Sequence, residues 1–334
     1  MTVASSLLAR RWPRLLRRDR LVWLALLALM ALGFGGLVMT TGWEDVLRQI
    51  GQITPGQIAA LLVLSLANYG LRGLRWHLFA RRLGLNTGLS QNMRHFIGGF
   101  AMSVTPGRVG ELVRMRWIRR ETGWSFERTA PLVLIDRASD LAAMAVLLAI
   151  ALSLSATGIA GGLPVTLLAL IAAFVVTRPA LLSALAGVGY RTTGRWARAF
   201  VRVRRAARAL ARFSHPTVIS AAMVLGVFGW LAEVVAFWLL LDWMGAPVGF
   251  AMAMAIFIFS TLAGGLTGAP GGVGGAEAAM VALLALQGVP LSVAIPVTAI
   301  IRLTTLWFAI ALGLGAFADA ERKSRKGAHA LEND

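Results

Sequence analysis

Two couples of acidic and basic residues carry the chemistry of this sequence. Glu111 precedes Arg137 by 26 residues and Glu277 precedes Arg302 by 25, and each arginine stands six residues beyond a proline, Pro131 or Pro296. A guanidinium holds phosphate through two parallel hydrogen bonds, whereas a nearby carboxylate either balances that charge or receives a cationic group. The glutamates close two related motifs, Pro106-Gly107-Arg108-Val109-Gly110-Glu111 and Pro270-Gly271-Gly272-Val273-Gly274-Gly275-Ala276-Glu277. Glycine and proline there break a helix and start another, and the free N–H groups of a helix start face anions. The candidate phosphate and headgroup ligands are therefore Arg108, Glu111, Arg137, Glu277 and Arg302, with Gly107, Gly110, Gly271 and Gly274 shaping the backbone around them. Arg72, Asp136 and Asp140 join them as charged residues inside apolar stretches. Arg108 has Gly272 as its counterpart, an asymmetry that either biases phosphate binding toward one entrance or marks an interfacial charge. The competing reading is structural: paired buried charges need not touch a substrate.

The elements that must position these residues are membrane helices. Of the 334 residues 57% are hydrophobic and 14% charged, and the mean hydropathy is +0.72, a balance foreign to soluble domains. A crossing takes about 20 residues. Apolar runs cover 21–41, 57–79, 130–156, 163–186, 217–241 and 291–317. The first is read as a retained helix, because Thr40-Thr41-Gly42-Trp43 offers no small-residue cleavage site. Segments 92–120 and 250–287 are apolar but interrupted, and each reads as a re-entrant pair of half-helices. A charge inside such spans costs several kcal/mol unless paired or hydrated. This adds Arg75 and Glu233 to the charged residues of interest. Asn68, Arg72 and Arg75 share one span and either line a cavity or, for Arg75, snorkel to its end.

Charge then orders the topology. With both broken segments re-entrant, the basic clusters at 10–20, 81–128, 191–212 and 322–326 fall on one side and the opposite loops keep only Arg48. The positive-inside rule makes the rich side cytoplasmic, with both termini there. The two motifs recur at an offset of 164 residues, and the Pro131 and Pro296 helices at 165. The expected fold is thus all-α and polytopic, with about six transmembrane helices, two re-entrant hairpins and an inverted internal repeat, the architecture of transporters. Its parts are a basic N-terminus over 1–20, a first helix and periplasmic loop over 21–56, repeat 1 over 57–156, a connecting helix and basic amphipathic segment over 157–216, repeat 2 over 217–317, and a cytoplasmic tail over 318–334. A net charge of +18 does not imply nucleic acid here, since the basic residues flank apolar runs. Arg191, Arg195, Arg198, Arg202 and Arg205 line one face of an amphipathic stretch, a surface for anionic lipid or a topology signal. There is no cysteine and the four histidines are scattered, so no metal or other cofactor is expected.

The stretch from Thr105 to Asp140 and the later Ala-Pro-Gly-Gly-Val-Gly-Gly-Ala-Glu resemble the lysylphosphatidylglycerol synthase/flippase transmembrane family, over most of the chain from Gln57 to Phe317. The resemblance implies a bacterial inner-membrane protein that moves lipid between leaflets. It implies as partners anionic or aminoacylated phospholipid, or a hopanoid or polyprenyl-linked lipid, with a second copy of the chain as a candidate partner. Family members that make lipid carry a soluble aminoacyltransferase domain after the membrane part, and this sequence ends at Asp334, so no enzymatic activity is expected. The alternative is a non-transporting, lipid-binding accessory protein of a lipid or glycolipid pathway.

Overall fold

A computed structural model describes residues 44, 48, 51–103, 109–155, 162–177, 179–193, 210–267 and 269–333. The expected first helix, the basic N-terminus, Gly107, Arg108 and most of the amphipathic stretch after Arg191 lie outside the described residues. Within them every regular element is helical. In chain order these are α1 (Pro55–Leu83), α2 (Leu89–Gly99), α3 (Val109–Thr122), α4 (Phe126–Leu154), α5 (Gly162–Thr177), α6 (Pro179–Thr193), α7 (Pro216–Trp243), α8 (Phe250–Leu266), α9 (Gly275–Leu286), α10 (Leu291–Arg302) and α11 (Phe308–Asn333). Among the described residues three helices are long and apolar enough to cross a membrane: α1, α7 and the continuous helix Leu291–Gly327. A single π turn, Leu303–Trp307, joins α10 to α11 within the last of these. Large apolar side chains such as Val63, Leu66, Leu154, Ile171, Phe228 and Leu314 face outward, as a lipid-facing surface requires.

Local sequence fixes the helix ends. Thr54 and Gln57 form a reciprocal capping box ahead of Pro55, and Gly84 closes α1 in the left-handed conformation at φ 95°. The stretch expected as one span over 163–186 consists of two helices, α5 ending at Thr177 and α6 starting at Pro179 and running on to Thr193. Proline lacks the donor that would continue the upstream ladder and disfavours helical geometry in the residue before it.

Helix α1 packs along α7, and glycines on α7 set how closely. A Cβ on Gly226 would sit 2.9 Å from Arg75 Nη1. Asn68 Nδ2 of α1 donates to the Gly229 carbonyl at 2.9 Å, so the same face is pinned by a hydrogen bond. One apolar core gathers Leu61, Phe237, Phe257, Ile295 and their neighbours from α1, α7, α8 and α10. A second gathers Trp76, Phe79, Phe96 and Ile118 from α1, α2 and α3.

A carboxylate ties α3 to α11. Glu321 accepts from Arg116 Nη2 at 2.5 Å, Arg120 Nη1 at 2.7 Å and Trp117 Nε1 at 3.0 Å. Glu321→Ala is expected to lower the melting temperature in detergent, corresponding to about 1–3 kcal/mol of lost charge-assisted bonding. Asp319→Ala, on the same helix, removes only exposed pairs with Arg322 and Lys323 and is expected to leave melting unchanged. Equal melting shifts in the two variants would show that Glu321 does not tie the helices.

Candidate functional site

Each broken segment folds back on itself beside a charged helix. Helix α2 ends in a tight turn over Phe100–Met102, and α3 starts so close to it that a Cβ on Gly110 would meet the Gly99 carbonyl oxygen at 2.4 Å. In the second segment α8 and α9 are linked through Pro270–Gly272, where Gly271, Gly272 and Gly274 take positive φ of 66°, 67° and 86°. Side chains with a Cβ rarely adopt that conformation, so this run of glycine is a backbone requirement.

The segments, together with α1, α4, α5, α7, α10, the π turn and the start of α11, line a cavity of about 740 Å³. Its polar wall is built by helical periodicity. Gly110, Glu111 and Arg114 stand on one face of α3, Arg137 and Asp140 on α4, Tyr69 and Arg72 on α1, and Trp230 and Glu233 on α7. Arg302 comes from the end of α10, Gly271 from the second glycine run. The remaining wall is largely apolar, with Leu134, Leu141, Phe257 and Leu262 among it.

Arg137 and Glu111 form an ion pair at 3.3 Å, and Arg137 also lies 3.0 Å from Asp136 and 3.5 Å from Asp140. Its side chain keeps 32% exposure, the most open arginine of the group. Asp140 is the hub, reached by Arg75 at 2.6 Å, Arg72 at 2.7 Å and the Trp230 indole N–H at 3.3 Å. Arg75 is fully buried and also holds Asp136 at 2.8 Å, so it neither snorkels nor lines the cavity. Behind this layer Asn68 orients Arg72, accepting from Nη1 at 3.3 Å.

The second couple is drier and more tightly bound. Arg302 Nε donates to Glu277 Oε1 at 2.6 Å and Nη2 to the Gly271 carbonyl at 3.0 Å. The other Glu277 oxygen accepts from the Gly274 N–H at 2.7 Å, capping α9. That cap has a consequence for the expected site: the Gly274 N–H is engaged by protein, and neither Gly274 nor Glu277 reaches the cavity wall. Asp136 is likewise buried behind the wall, at 1% exposure, held between Arg75 and Arg137. The expected residues that do meet on the cavity are Arg72, Gly110, Glu111, Arg137, Asp140, Gly271 and Arg302.

Arg114, Glu233, Trp230 and Tyr69 belong to the same wall and were not among the expected ligands. Arg114 reads in sequence as one more member of a basic cluster. In the fold its guanidinium donates to the Phe96 carbonyl at 2.9 Å and packs 4.5 Å from the Phe96 ring centroid. Its spacing from Gly110 and Glu111, one helical turn, was the available signal. Tyr69 donates to the Thr305 carbonyl in the π turn. Glu233 makes no hydrogen bond or ion pair with the described residues, although it is only 5% exposed.

Apolar exterior, helical spans and a buried charged cavity define a multi-pass helical membrane protein. The chain belongs to the family described as the lysylphosphatidylglycerol synthase TM region, which it matches over residues 21–313. It is similar to proteins from Methanothermobacter thermautotrophicus named UPF0104 membrane protein. One match has 26% identity over 302 residues, covering 82% of this chain and 87% of the relative, and a second has 30% identity over 101 residues, covering 30% of each.

Proposed function

We propose that the protein is a lipid transporter of the bacterial inner membrane that passes a phosphate-bearing headgroup between leaflets through the charged cavity. The observation that carries this reading is that Arg137 and Arg302, which follow the two related motifs, line the same cavity. At about 740 Å³ its size lies within the range of small-molecule sites. Two of its wall residues, Leu168 and Leu266, are also 60% and 69% exposed, which gives acyl chains an apolar route out to the bilayer while the headgroup stays among the charges.

In this reading the chain is an inverted repeat of about six crossings with two re-entrant hairpins, α2 with α3 and α8 with α9, and it works by alternating access. Phosphate displaces carboxylates from Arg137 and Arg302, and Arg72 and Arg114 add positive charge to the wall. The substrate class is an anionic or aminoacylated phospholipid, or another lipid bearing a phosphodiester. Liposomes holding the purified protein and a fluorescent phosphatidylglycerol are expected to lose inner-leaflet signal to an impermeant quencher faster than protein-free liposomes. Equal rates with tight binding of the lipid would instead identify a non-transporting lipid-binding protein.

Topology has its own test, because the chain is free of cysteine. Both Gln287 and Arg322 are exposed. Gln287→Cys is expected to react with an impermeant thiol reagent added outside the cell, and Arg322→Cys only after the membrane is opened. Labelling of Arg322→Cys in intact cells would overturn the dual re-entrant topology and place that end of the chain outside.

A further inference from the structure

Among the described residues the cavity and the groups paired directly behind its wall carry as many arginines as carboxylates. Arg72, Arg75, Arg114, Arg137 and Arg302 stand against Glu111, Asp136, Asp140, Glu277 and Glu233. Each carboxylate but one has an arginine within ion-pair distance; Glu233 has none. Glu233 is nonetheless 95% shielded by protein and projects from α7 into the cavity.

The helices packed against α7 define what faces it. Helix α1 presents Tyr69 and Arg72, α4 presents Arg137 and Asp140, and α10 presents Arg302, while α8 carries no charged residue. Glu233 lies within electrostatic reach of Arg72, Arg302 and Asp140. It therefore stands beside two arginines that a phosphate would engage.

With Glu233 ionised, the charges at the cavity cancel, and a monoanionic phosphodiester would bring an uncompensated negative charge in among Arg72, Glu233 and Arg302, which the protein largely shields from water. With Glu233 protonated, one positive charge is left over, and the phosphodiester neutralises it. Burying an unpaired charge is unfavourable, so the neutral combination is the stable one. We propose that Glu233 is a proton-binding site coupled to the headgroup: the cavity takes up one proton, on the Glu233 carboxylate, for each phosphodiester it binds, and returns it to water when the headgroup leaves. This rests on the lipid reading of the cavity and adds the proton as a second ligand.

The probe is short-chain phosphatidylglycerol, titrated calorimetrically into detergent-solubilised full-length protein in buffers of different ionisation enthalpy. The wild type is expected to take up about one proton per lipid, with affinity falling about tenfold per pH unit once Glu233 ionises in the free protein. Glu233→Gln, of the same shape and always neutral, is expected to bind without proton uptake and with affinity independent of pH. Equal uptake in Glu233→Gln, or binding by the wild type that ignores pH, would overturn the proposal. A second measurement needs no lipid: pH-difference infrared spectra of the wild type should show a protonated carboxyl band that Glu233→Gln lacks. If the wild type binds no phosphatidylglycerol but the band is present, the lipid reading fails and the proton site stands; if the band is missing, the proton site fails.

Discussion

Arg137→Ala is expected to slow lipid movement on the order of a hundredfold in liposomes, the loss of roughly 2–3 kcal/mol of charge-assisted contact, while the protein folds as the wild type does. The second half of that expectation follows from the ion-pair network. Asp136 keeps Arg75 at 2.8 Å, and Asp140 keeps Arg75 and Arg72 at 2.6 and 2.7 Å, so neither aspartate is stranded. Glu111 does lose its ion pair, but its side chain is 22% exposed and water in the cavity can solvate it. Arg137→Lys should recover little, because an ammonium cannot span two phosphate oxygens. Arg75→Met is the contrast: it takes from the buried Asp136 and Asp140 the fully buried partner they share, leaving Asp136 only the more exposed Arg137 at close range, and should reduce the yield of folded protein. Normal transport by a well-folded Arg137→Ala protein would remove this arginine from the transport path.

Arg302→Ala is expected to behave differently, although Arg302, like Arg137, stands six residues beyond a proline. Here the arginine is the partner that neutralises Glu277, at 2.6 Å, and Glu277 is only 4% exposed. Removing one member of such a pair costs about 3–5 kcal/mol, enough to empty the membrane of folded protein. Adding Glu277→Gln should restore melting, since the amide oxygen still accepts from the Gly274 N–H and no charge is left buried. The repaired double variant should still fail to move lipid in the leaflet assay. If it transports at the wild-type rate, Arg302 serves the fold alone and the two-arginine site is wrong.

The residues differ in how openly the sequence announces them. The glutamate and arginine couples were legible because the sequence carries them twice at nearly constant spacing, and the same spacing led to pairs that close at 3.3 and 2.6 Å. Helix α4 was legible from its apolar run, and the interruptions at Pro106-Gly107 and in the Gly264 to Gly275 region marked the broken segments. Arg114 was hidden by its company, since a buried arginine and the exposed ones around it look alike in a basic run.

By itself, the sequence determined the solvent in which this chain folds, the all-helical class, the family, and which charges had to find partners inside the apolar spans. The family rests on the resemblance of the two glycine motifs; the rest follows from composition and period, because a bilayer accepts neither open backbone nor lone charge. Tertiary structure alone decided who those partners are. Period fixes the face on which Arg75, Asp140 or Glu233 stands, but the group opposite depends on which helix packs there. Gly226 and Gly229 bring α7 against α1, the two aspartates of α4 close on Arg72 and Arg75, and Glu277 turns inward to cap its own helix. Among the described residues Glu233 is the remaining carboxylate at the cavity, with no arginine in ion-pair contact, because Arg72 and Arg302 within its reach are already held by Asp140 and Glu277, a pairing that is a property of the packing and not of the chain's residue list.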